Sequence, residues 1–410
     1  MDLRFTPEEN AFRDEVRTFL RAALPESIRR KMIEGRHLAK EDLVGWQRIL
    51  NAKGWAVPHW PVEWGGTNWS PVRQYIYREE LQQAPAPDPL PFGVNMVGPV
   101  IIAFGSEAQK RRHLLRIANL DDWWCQGFSE PGAGSDLASL KTAARREGDH
   151  YVVNGQKTWT TLAQYADWMF CLARTDQAAK KQDGISFLLI DMKTLGITVR
   201  PITTIDGGQE VNEVFFDDVR VPIQNRVGEE NRGWDYAKFL LGNERSGIAR
   251  VGVSKARLRR LREIAALERV GDKPLIEDER FRVKIAAIEV ELKALEMTQL
   301  RVVAAERRGN RPDPASSILK IKGSEIQQAI SELLLEAIGP YAVAGEAPHE
   351  EDERWNEPPV GHDWATGLAP QYFNMRKVSI YGGSNEIQKT SSPKPSWDCE
   401  GLARHGFRVE

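Results

Sequence analysis

The most informative stretch of the sequence runs Cys125-Gln126-Gly127-Phe128-Ser129-Glu130-Pro131-Gly132-Ala133-Gly134-Ser135-Asp136. It predicts a strand that ends at Ser129, followed by a loop with two glycines and a hydroxyl–carboxylate pair. Such a loop lets backbone amides approach a flat or anionic ligand closely. When this stretch is considered alone, an ordinary glycine-rich turn explains its residues equally well.

The sequence before this stretch has the pattern of helices. Thr6-Pro7-Glu8-Glu9 predicts a capping box with proline at the first helical position. The apolar spacing from Val44 to Leu50 predicts a second helix. A third helix is predicted to begin at Ser70-Pro71, and a fourth at Ser106, where Gln109 completes a capping box. The first third of the chain is therefore predicted to be helical.

From Trp123 to about Val227, short apolar or alternating runs lie between turn signals and predict strands. Asn154-Gly155 is a strong hairpin dipeptide and predicts a tight turn at that point. Ile185 to Ile190 is nearly apolar throughout, which predicts burial on both faces. We expect a compact antiparallel β domain of ordinary domain size.

Helical periodicity returns after Gly233 in long segments, which predict an antiparallel bundle. Their apolar stripes contain Ile285, Ile288, Leu292, Leu295 and Leu300, then Ile318, Ile321, Ile326 and Ile330. Ala342 to Pro370 interrupts the bundle as a long loop with Trp355 and Trp364. The predicted division is a helical domain at 1–122, a β domain at 123–230, a helical bundle at 231–389 and an atypical tail at 390–410.

Composition excludes several classes of function. Among 410 residues the formal net charge is −2, so no basic face for nucleic acid is predicted. Three scattered cysteines and seven scattered histidines indicate no structural metal. The longest apolar stretch, Val94 to Phe104, is too broken to predict membrane insertion, and the N-terminus has no secretory pattern, so we expect a cytoplasmic protein. No G-x-G-x-x-G follows a strand, which argues against a nicotinamide fingerprint.

Three motifs together resemble the acyl-CoA dehydrogenase family. Ser129 to Asp136 matches its S-E-P-x-A-G-S-D core, Asn154 to Thr161 is similar to N-G-x-K-x-W-I-T, and Tyr381 to Gln388 is similar to Y-E-G-T-x-x-I-Q. The resemblance implies an α+β fold with an N-terminal helical domain, a central antiparallel β-barrel-like domain and a C-terminal helical bundle. The sequence looks most like the large subunit of bacterial pimeloyl-CoA dehydrogenase, which suggests a dicarboxylic acyl-CoA.

The resemblance also implies an FAD cofactor and roles for individual residues. Contacts to FAD are implied for Gln126, Phe128, Ser129, Trp159, Thr161, Gly339, Ser384, Asn385 and Glu386. Contacts to the acyl-CoA are implied for Ser135, Arg245 and Gly383. For Trp159 the alternative is core packing, since tryptophan is mostly buried. The family's R-x-x-F-G segment, which serves the FAD pyrophosphate, has no clean match around Arg269 to Asp272.

The chemistry needs a base that removes the α-proton of the thioester while hydride leaves the β-carbon. The family's commoner glutamate position is Gly382 here, and glycine cannot accept a proton. Its other position precedes an arginine on a helix, and Glu244-Arg245 matches it, so Glu244 is the candidate base. The alternatives are an ordinary helix glutamate, and Glu386 as a weaker rival.

The implied activity is oxidation of an acyl-CoA to a 2-enoyl-CoA, with electrons passed to an electron-transferring flavoprotein. The family binds FAD across a subunit boundary, so the resemblance implies a homo-oligomer, dimer or tetramer. Alternatively, the chain is one subunit of a heterotetramer that depends on a homologous partner chain for turnover. A non-catalytic flavoprotein and an oxidase are further alternatives.

The tail from Thr390 onwards departs from the family pattern. Where relatives continue with an amphipathic helix, this chain has Pro393 and Pro395, which cannot lie inside one. A one-base loss in the coding sequence would produce this tail, and sequencing the coding DNA tests that hypothesis. An in-frame tail shared by close relatives would contradict it.

Overall fold

The computed structural model describes residues 4–244, 249–306, 315–343, 361–362, 364–365 and 367–391. Six α-helices precede the first strand: α1 Pro7–Ala23, α2 Glu26–Glu34, α3 Lys40–Ala52, α4 Pro71–Gln83, α5 Gly98–Phe104 and α6 Glu107–Ala118. A π-helix, Phe92–Val97, leads directly into α5. The order of helices, sheet and helices confirms the predicted fold class.

Local capping signals place the helix starts where the sequence predicts them. Thr6 accepts from the amide of Glu9 while the Glu9 side chain accepts from the amide of Thr6. Ser106 and Gln109 form the same reciprocal pair at the start of α6, and Ser70 caps α4. These caps satisfy amides that a helix start leaves without partners.

The central sheet has seven strands: β1 Trp124–Gly127, β2 Ala143–Glu147, β3 His150–Thr161, β4 Trp168–Arg174, β5 Ile185–Asp191, β6 Ile197–Ile202 and β7 Val211–Pro222. The strands lie in the order β1-β4-β2-β3-β7-β6, with β5 pairing on β4. The sheet is mixed and not wholly antiparallel, because β1 and β2 each pair with β4 in parallel. Ile185 to Ile190 is buried throughout, as predicted.

The hairpin predicted at Asn154-Gly155 is wrong. The turn lies earlier, at Gly148, and β3 continues through Asn154-Gly155 with a shift in its pairing to β7. Asn154 instead exchanges hydrogen bonds of 2.9 Å with the Asp218 side chain and amide on β7. Gly155 has φ +146°, and a side chain there would collide with Thr142, so the dipeptide supplies a bulge.

Four long or medium helices dominate the C-terminal part: α7 Gly233–Glu244, α8 Val251–Leu267, α9 Glu279–Glu306 and α10 Ala315–Ile338. The short hairpin of β8 Arg269–Val270 and β9 Lys273–Pro274 follows α8, and α11 Leu368–Met375 and α12 Asn385–Ser391 close the described chain. The predicted stripe on α9 is buried at Ile285, Ile288, Leu292, Leu295 and Leu300, whereas Ile318 on α10 is exposed.

One apolar interior joins the N-terminal helices to the sheet. Alternate residues of β4 and β5, including Phe170, Leu172 and Phe187, pack with Val16, Leu50 and other residues of α1 to α6. The other face of the sheet buries its own cluster, with Met169 and Cys171 among its members, and α8 to α11 enclose a third. Tyr236, Ala237 and Leu240 of α7 also belong to the shared interior, so this interior joins the first C-terminal helix to the sheet and to the N-terminal helices.

Across the described ranges, no helix is both long enough and apolar enough to span a membrane. Those same ranges contain no group of three or more histidine, cysteine or acidic side chains suited to a metal ion.

Candidate active site

A buried ion pair ties the end of β1 to β3. Lys157 is fully buried, and its Nζ donates to Glu130 Oε1 at 2.8 Å and to the Phe128 carbonyl at 3.1 Å. The Glu130 carboxylate also accepts from the amides of Lys141 and Thr142, at 2.6 and 2.9 Å. A buried charge is stable only when paired and hydrogen-bonded, so this pair fixes the glycine loop against β3.

The same pair sets the ionisation of Glu130. Burial alone would raise the pKa of this carboxyl, but the Lys157 ammonium and the hydrogen bonds from Lys157, Thr142 and Lys141 outweigh it, so the pKa is lowered. A depressed pKa keeps Glu130 ionised, which preserves the attachment between the first and second motifs.

Trp159 lies in a strand irregularity next to this pair. Pairing of β3 with β7 shifts between Lys157 and Thr160, and Trp159 has φ +58°, which is uncommon outside glycine. The bulge turns Trp159 outward, and 61% of the residue is exposed. Core packing, the alternative for this tryptophan, is therefore wrong.

The other predicted residues of the β domain lie close to Trp159. The Ser129 carbonyl accepts from the amide of Thr158 at 2.9 Å, which brings the end of β1 beside the end of β3. Gln126, Ser129 and Thr161 are all half-buried there, so each has surface left for a ligand. The Phe128 ring instead packs at right angles to Phe170 and Phe187, so Phe128 faces the core and offers a ligand its backbone.

Ser135 lies in the exposed part of the glycine loop. Its neighbour Asp136 pairs with Lys181 at 2.9 Å on the surface. The loop therefore presents polar groups to solvent beyond the buried Lys157–Glu130 pair.

The third motif forms a glycine turn that leads into α12. Gly382 and Gly383 both have left-handed φ angles, +66° and +78°. Ser384 then caps α12, with its Oγ accepting from the Ile387 amide at 3.4 Å. Glu386 is exposed, and backbone hydrogen bonding and Ser384 lower its pKa. A lowered pKa suits a charged surface group better than a proton acceptor.

Asn385 differs from its neighbours in the motif. Its side chain is buried, accepts from Lys320 at 2.8 Å and donates to Ser324 at 3.0 Å on α10. These bonds hold α12 to α10 and leave Ser384 and Glu386 as the members of the trio open to a ligand. Gly339, at the end of α10 with φ +60°, is also exposed.

The loop before β7 bridges the second motif to the segment that precedes the third. The Glu210 carbonyl accepts from the amide of Leu162, next to Thr161, at 2.7 Å. Asn374 donates to Asp206 at 2.8 Å and to Glu210 at 3.3 Å, and Lys377 pairs with Glu210. The structure thus connects two motifs that are separated by more than 200 residues in the sequence.

Glu244 is the last residue of α7, and its side chain lies outside the described part of the structure. Arg245 and the tail from residue 392 also lie outside the described residues. The start of α7 is set by Gly233, where a side chain would collide with the backbone of Ser186 and Phe187 on β5. Tyr236, Ala237 and Leu240 bury the inner face of this helix.

Sequence reasoning missed the Lys157–Glu130 pair, although both residues lie within quoted motifs. The signal was available, because a lysine in the middle of a buried strand needs an acidic partner. An exposed indole beside half-buried polar residues fits a flat, partly apolar ring system, since aromatic faces stack on such rings. Gln126, Ser129, Trp159 and Thr161 could therefore hold the isoalloxazine of FAD.

Three family models together cover nearly the whole chain. They are the acyl-CoA dehydrogenase N-terminal domain at residues 6–121, the middle domain at 125–219 and the C-terminal domain at 231–392.

Relatives and solved structures agree with these family models. The chain is 36% identical over 360 residues to the acyl-CoA dehydrogenase IpdE1 of Mycobacterium tuberculosis, covering 86% of this chain and 87% of IpdE1. It is similar to a chain of the ChsE4-ChsE5 complex of Mycobacterium tuberculosis, with 31% identity, a TM-score of 0.80 and full coverage of both chains. It is also similar to the Tcur3481-Tcur3483 steroid ACAD, with 28% identity, a TM-score of 0.81 and full coverage of both chains.

Proposed function

The chain belongs to the acyl-CoA dehydrogenase family, and from that premise we propose that it is an FAD-dependent oxidoreductase that converts an acyl-CoA into its 2-enoyl-CoA. The observation that carries the cofactor assignment is the outward Trp159, held at φ +58° beside the end of β1. Strained backbone of this kind persists where surrounding structure enforces it, and it concentrates at ligand sites.

The residues of this chain divide the work of binding. Trp159 offers an aromatic face, and Gln126, Ser129 and Thr161 offer polar atoms around it. Ser384, Glu386 and Gly339 lie on the helical side and would take the adenosine end of FAD. When bound, FAD supplies the acceptor for the hydride that leaves the β-carbon of the substrate.

Glu244 is the proposed base for the α-proton. Glu244 is the last residue of α7 and precedes Arg245, which is the order that the family's helix position for the base requires. The reaction requires a carboxylate shielded from water at this position, since desolvation makes a carboxylate a better proton acceptor near neutral pH. The C–H bond at the α-carbon breaks with its electrons forming the double bond, and the proton goes to the Glu244 carboxylate.

The decisive experiment mixes the FAD-loaded protein with acyl-CoA thioesters without oxygen and follows the loss of yellow flavin absorbance. We expect rapid bleaching, slowed by about a hundredfold or more in Glu244→Gln. Glu332→Gln is the matched control, because it removes an exposed helix carboxylate on α10 to which no role is assigned, and it should leave the rate nearly unchanged. Bleaching undiminished in Glu244→Gln would refute the assignment of the base.

The proposal also covers the acyl group of the substrate, the protein that accepts the electrons and the cellular compartment. The steroid named for the Tcur3481-Tcur3483 relative suggests a bulky acyl-CoA, whereas the pimeloyl resemblance suggests a dicarboxylic one. A substrate panel with an artificial acceptor distinguishes them. An electron-transferring flavoprotein as acceptor and a cytoplasmic location complete the proposal.

A second candidate is a subunit that needs a homologous partner chain for turnover. Two solved structures of similar chains are named as pairs, ChsE4-ChsE5 and Tcur3481-Tcur3483. The missing match to the arginine segment fits this candidate, because a partner could supply the cation for the FAD pyrophosphate. Turnover by the purified single chain would favour a homo-oligomer. Activity only after a second, homologous chain copurifies would favour the heteromer.

A further inference from the structure

A pocket is lined by several arginines, and none of its lining residues belongs to the three signature motifs. It lies where α1, α2, α4 and α8 meet and has a volume of about 280 Å³. Four arginines line it: Arg17, Arg21, Arg29 and Arg259. We call it the arginine pocket.

The acidic side chain that lines the arginine pocket is already shared. Glu80 is buried, accepts from Arg17 at 2.8 and 3.0 Å, and forms an ion pair with Arg13 at 3.0 Å. One carboxylate therefore faces two guanidinium groups, and it has no charge to spare for the other arginines of the pocket.

The remaining three arginines have weak or neutral partners. Arg29 pairs at 3.3 Å with Glu26, whose side chain is 83% exposed, so solvent screens the attraction. Arg259 donates to the uncharged Gln83 side chain at 3.2 Å. Arg21 makes no ion pair with any residue that the structure describes. Arg29 is half-buried, whereas Arg21 and Arg259 are exposed, so solvent screens part of the repulsion among the three charges. An anion between them would relieve the repulsion that is left.

We propose that the arginine pocket binds a phosphate group, either as free phosphate or as the phosphorylated end of a nucleotide. Guanidinium forks match the oxygens of phosphate in geometry as well as charge. The rest of the lining includes Leu20, Ala84 and Pro85, which gives an attached sugar or base an apolar surface. None of the residues proposed to contact FAD or acyl-CoA lines this pocket, so the site is separate from the proposed active site.

The experiment titrates the FAD-loaded full chain with inorganic phosphate and with adenosine 3′,5′-bisphosphate by isothermal calorimetry in low-salt chloride buffer. We expect saturable binding of phosphate that weakens about tenfold or more in the Arg21→Gln/Arg259→Gln double variant. Arg21→Gln alone should show a smaller loss. Arg30→Gln is the matched control, because it removes an exposed charge on α2 outside the pocket and should change binding by no more than about twofold.

The two probes separate the sources of phosphate. If phosphate and the bisphosphate bind with equal affinity, the pocket recognises the phosphate group alone. If the bisphosphate binds more tightly, and this binding is also lost in the double variant, the pocket recognises a nucleotide. The proposal is overturned if neither probe saturates, or if Arg30→Gln weakens binding as much as the double variant does. Bisphosphate binding that persists in the double variant while phosphate does not bind would also overturn it.

Discussion

Lys157→Met tests whether the buried ion pair holds the first two motifs together. Methionine keeps most of the volume of the side chain but removes the ammonium that contacts Glu130 at 2.8 Å and the Phe128 carbonyl at 3.1 Å. Breaking a buried pair from one side costs about 3 to 5 kcal/mol, because a charge is left buried and unpaired. Glu130 keeps two backbone donors, from Lys141 and Thr142, which places the expected loss near the lower end of that range.

Urea unfolding followed by tryptophan fluorescence measures this loss as a fall in the free energy of unfolding of about 3 kcal/mol. Lys181→Met is the matched control, since Lys181 and Asp136 form a surface pair whose side chains are 50% and 60% exposed. That variant should lose less than about 1 kcal/mol.

The pH dependence of the free energy of unfolding is an independent test, because the direction of its change can be predicted. In the native chain the lowered pKa of Glu130 contributes stability at pH values above its ordinary value, and this stability is lost as pH falls through the folded pKa. Without Lys157 the ammonium no longer offsets burial, so ionised Glu130 stops contributing stability, and Lys157→Met should lose less stability than the native chain as pH falls through the acid range. A variant that unfolds within about 1 kcal/mol of the native chain at neutral pH, and that loses as much stability as the native chain on acidification, would refute the reasoning.

Three further outcomes follow from individual residues. Trp159→Ala should change the free energy of unfolding by less than about 0.5 kcal/mol, because the residue is largely exposed. The same variant should bind FAD about tenfold more weakly, because the ring contact is lost. An unchanged FAD affinity in a fluorescence titration would contradict the placement of Trp159 against the flavin. Burial lowers the pKa of His113 from 6.5 to about 4, so the native chain loses stability as pH falls from 6.5 towards 4. His113→Phe keeps the aromatic contacts with Trp124 and Trp168 and should flatten that part of the pH–stability curve; an equally steep curve would exclude His113 as its source. Gly382→Ala should destabilise by about 1 to 2 kcal/mol because Gly382 has φ +66°, and a neutral result in thermal unfolding would contradict a rigid turn there.

Features with local causes were predictable from the sequence. The capping boxes at Thr6 and Ser106 depend on residues three positions apart, and both form as predicted. The burial of Ile185 to Ile190 follows from its own composition. The helix–sheet–helix order needed only the change of hydrophobic period along the chain.

Features that depend on distant residues were not predictable from local patterns. Asn154-Gly155 has a hairpin signal, but hydrogen bonds to Asp218 on β7 turn it into a bulge. The parallel pairing of β1 with β4 depends on which strands meet, and no residue of either strand encodes it alone. The π-helix at Phe92–Val97 was hidden in a stretch noted only for its apolar content.

In the candidate site, too, some features were predictable from the sequence and others depend on distant residues. Motif resemblance placed Ser129 in the first motif and Trp159 and Thr161 in the second, and the structure brings them to one region. Burial of Asn385 against Lys320 depends on the packing of α12 on α10, which the motif alone does not reveal. The roles of Glu244 and Arg245 remain predictions.

The shared apolar interior also limits how this chain can be altered by recombination. Phe170, Leu172 and Phe187 on the sheet and Val16 and Leu50 on the helices complete one another's packing. A chimera that takes residues before 123 from one relative and the sheet from another would join surfaces shaped separately, and mismatched volumes in a close-packed interior are costly. Exchange of the helical layer together with the sheet should therefore yield folded hybrids far more often than exchange of either one alone.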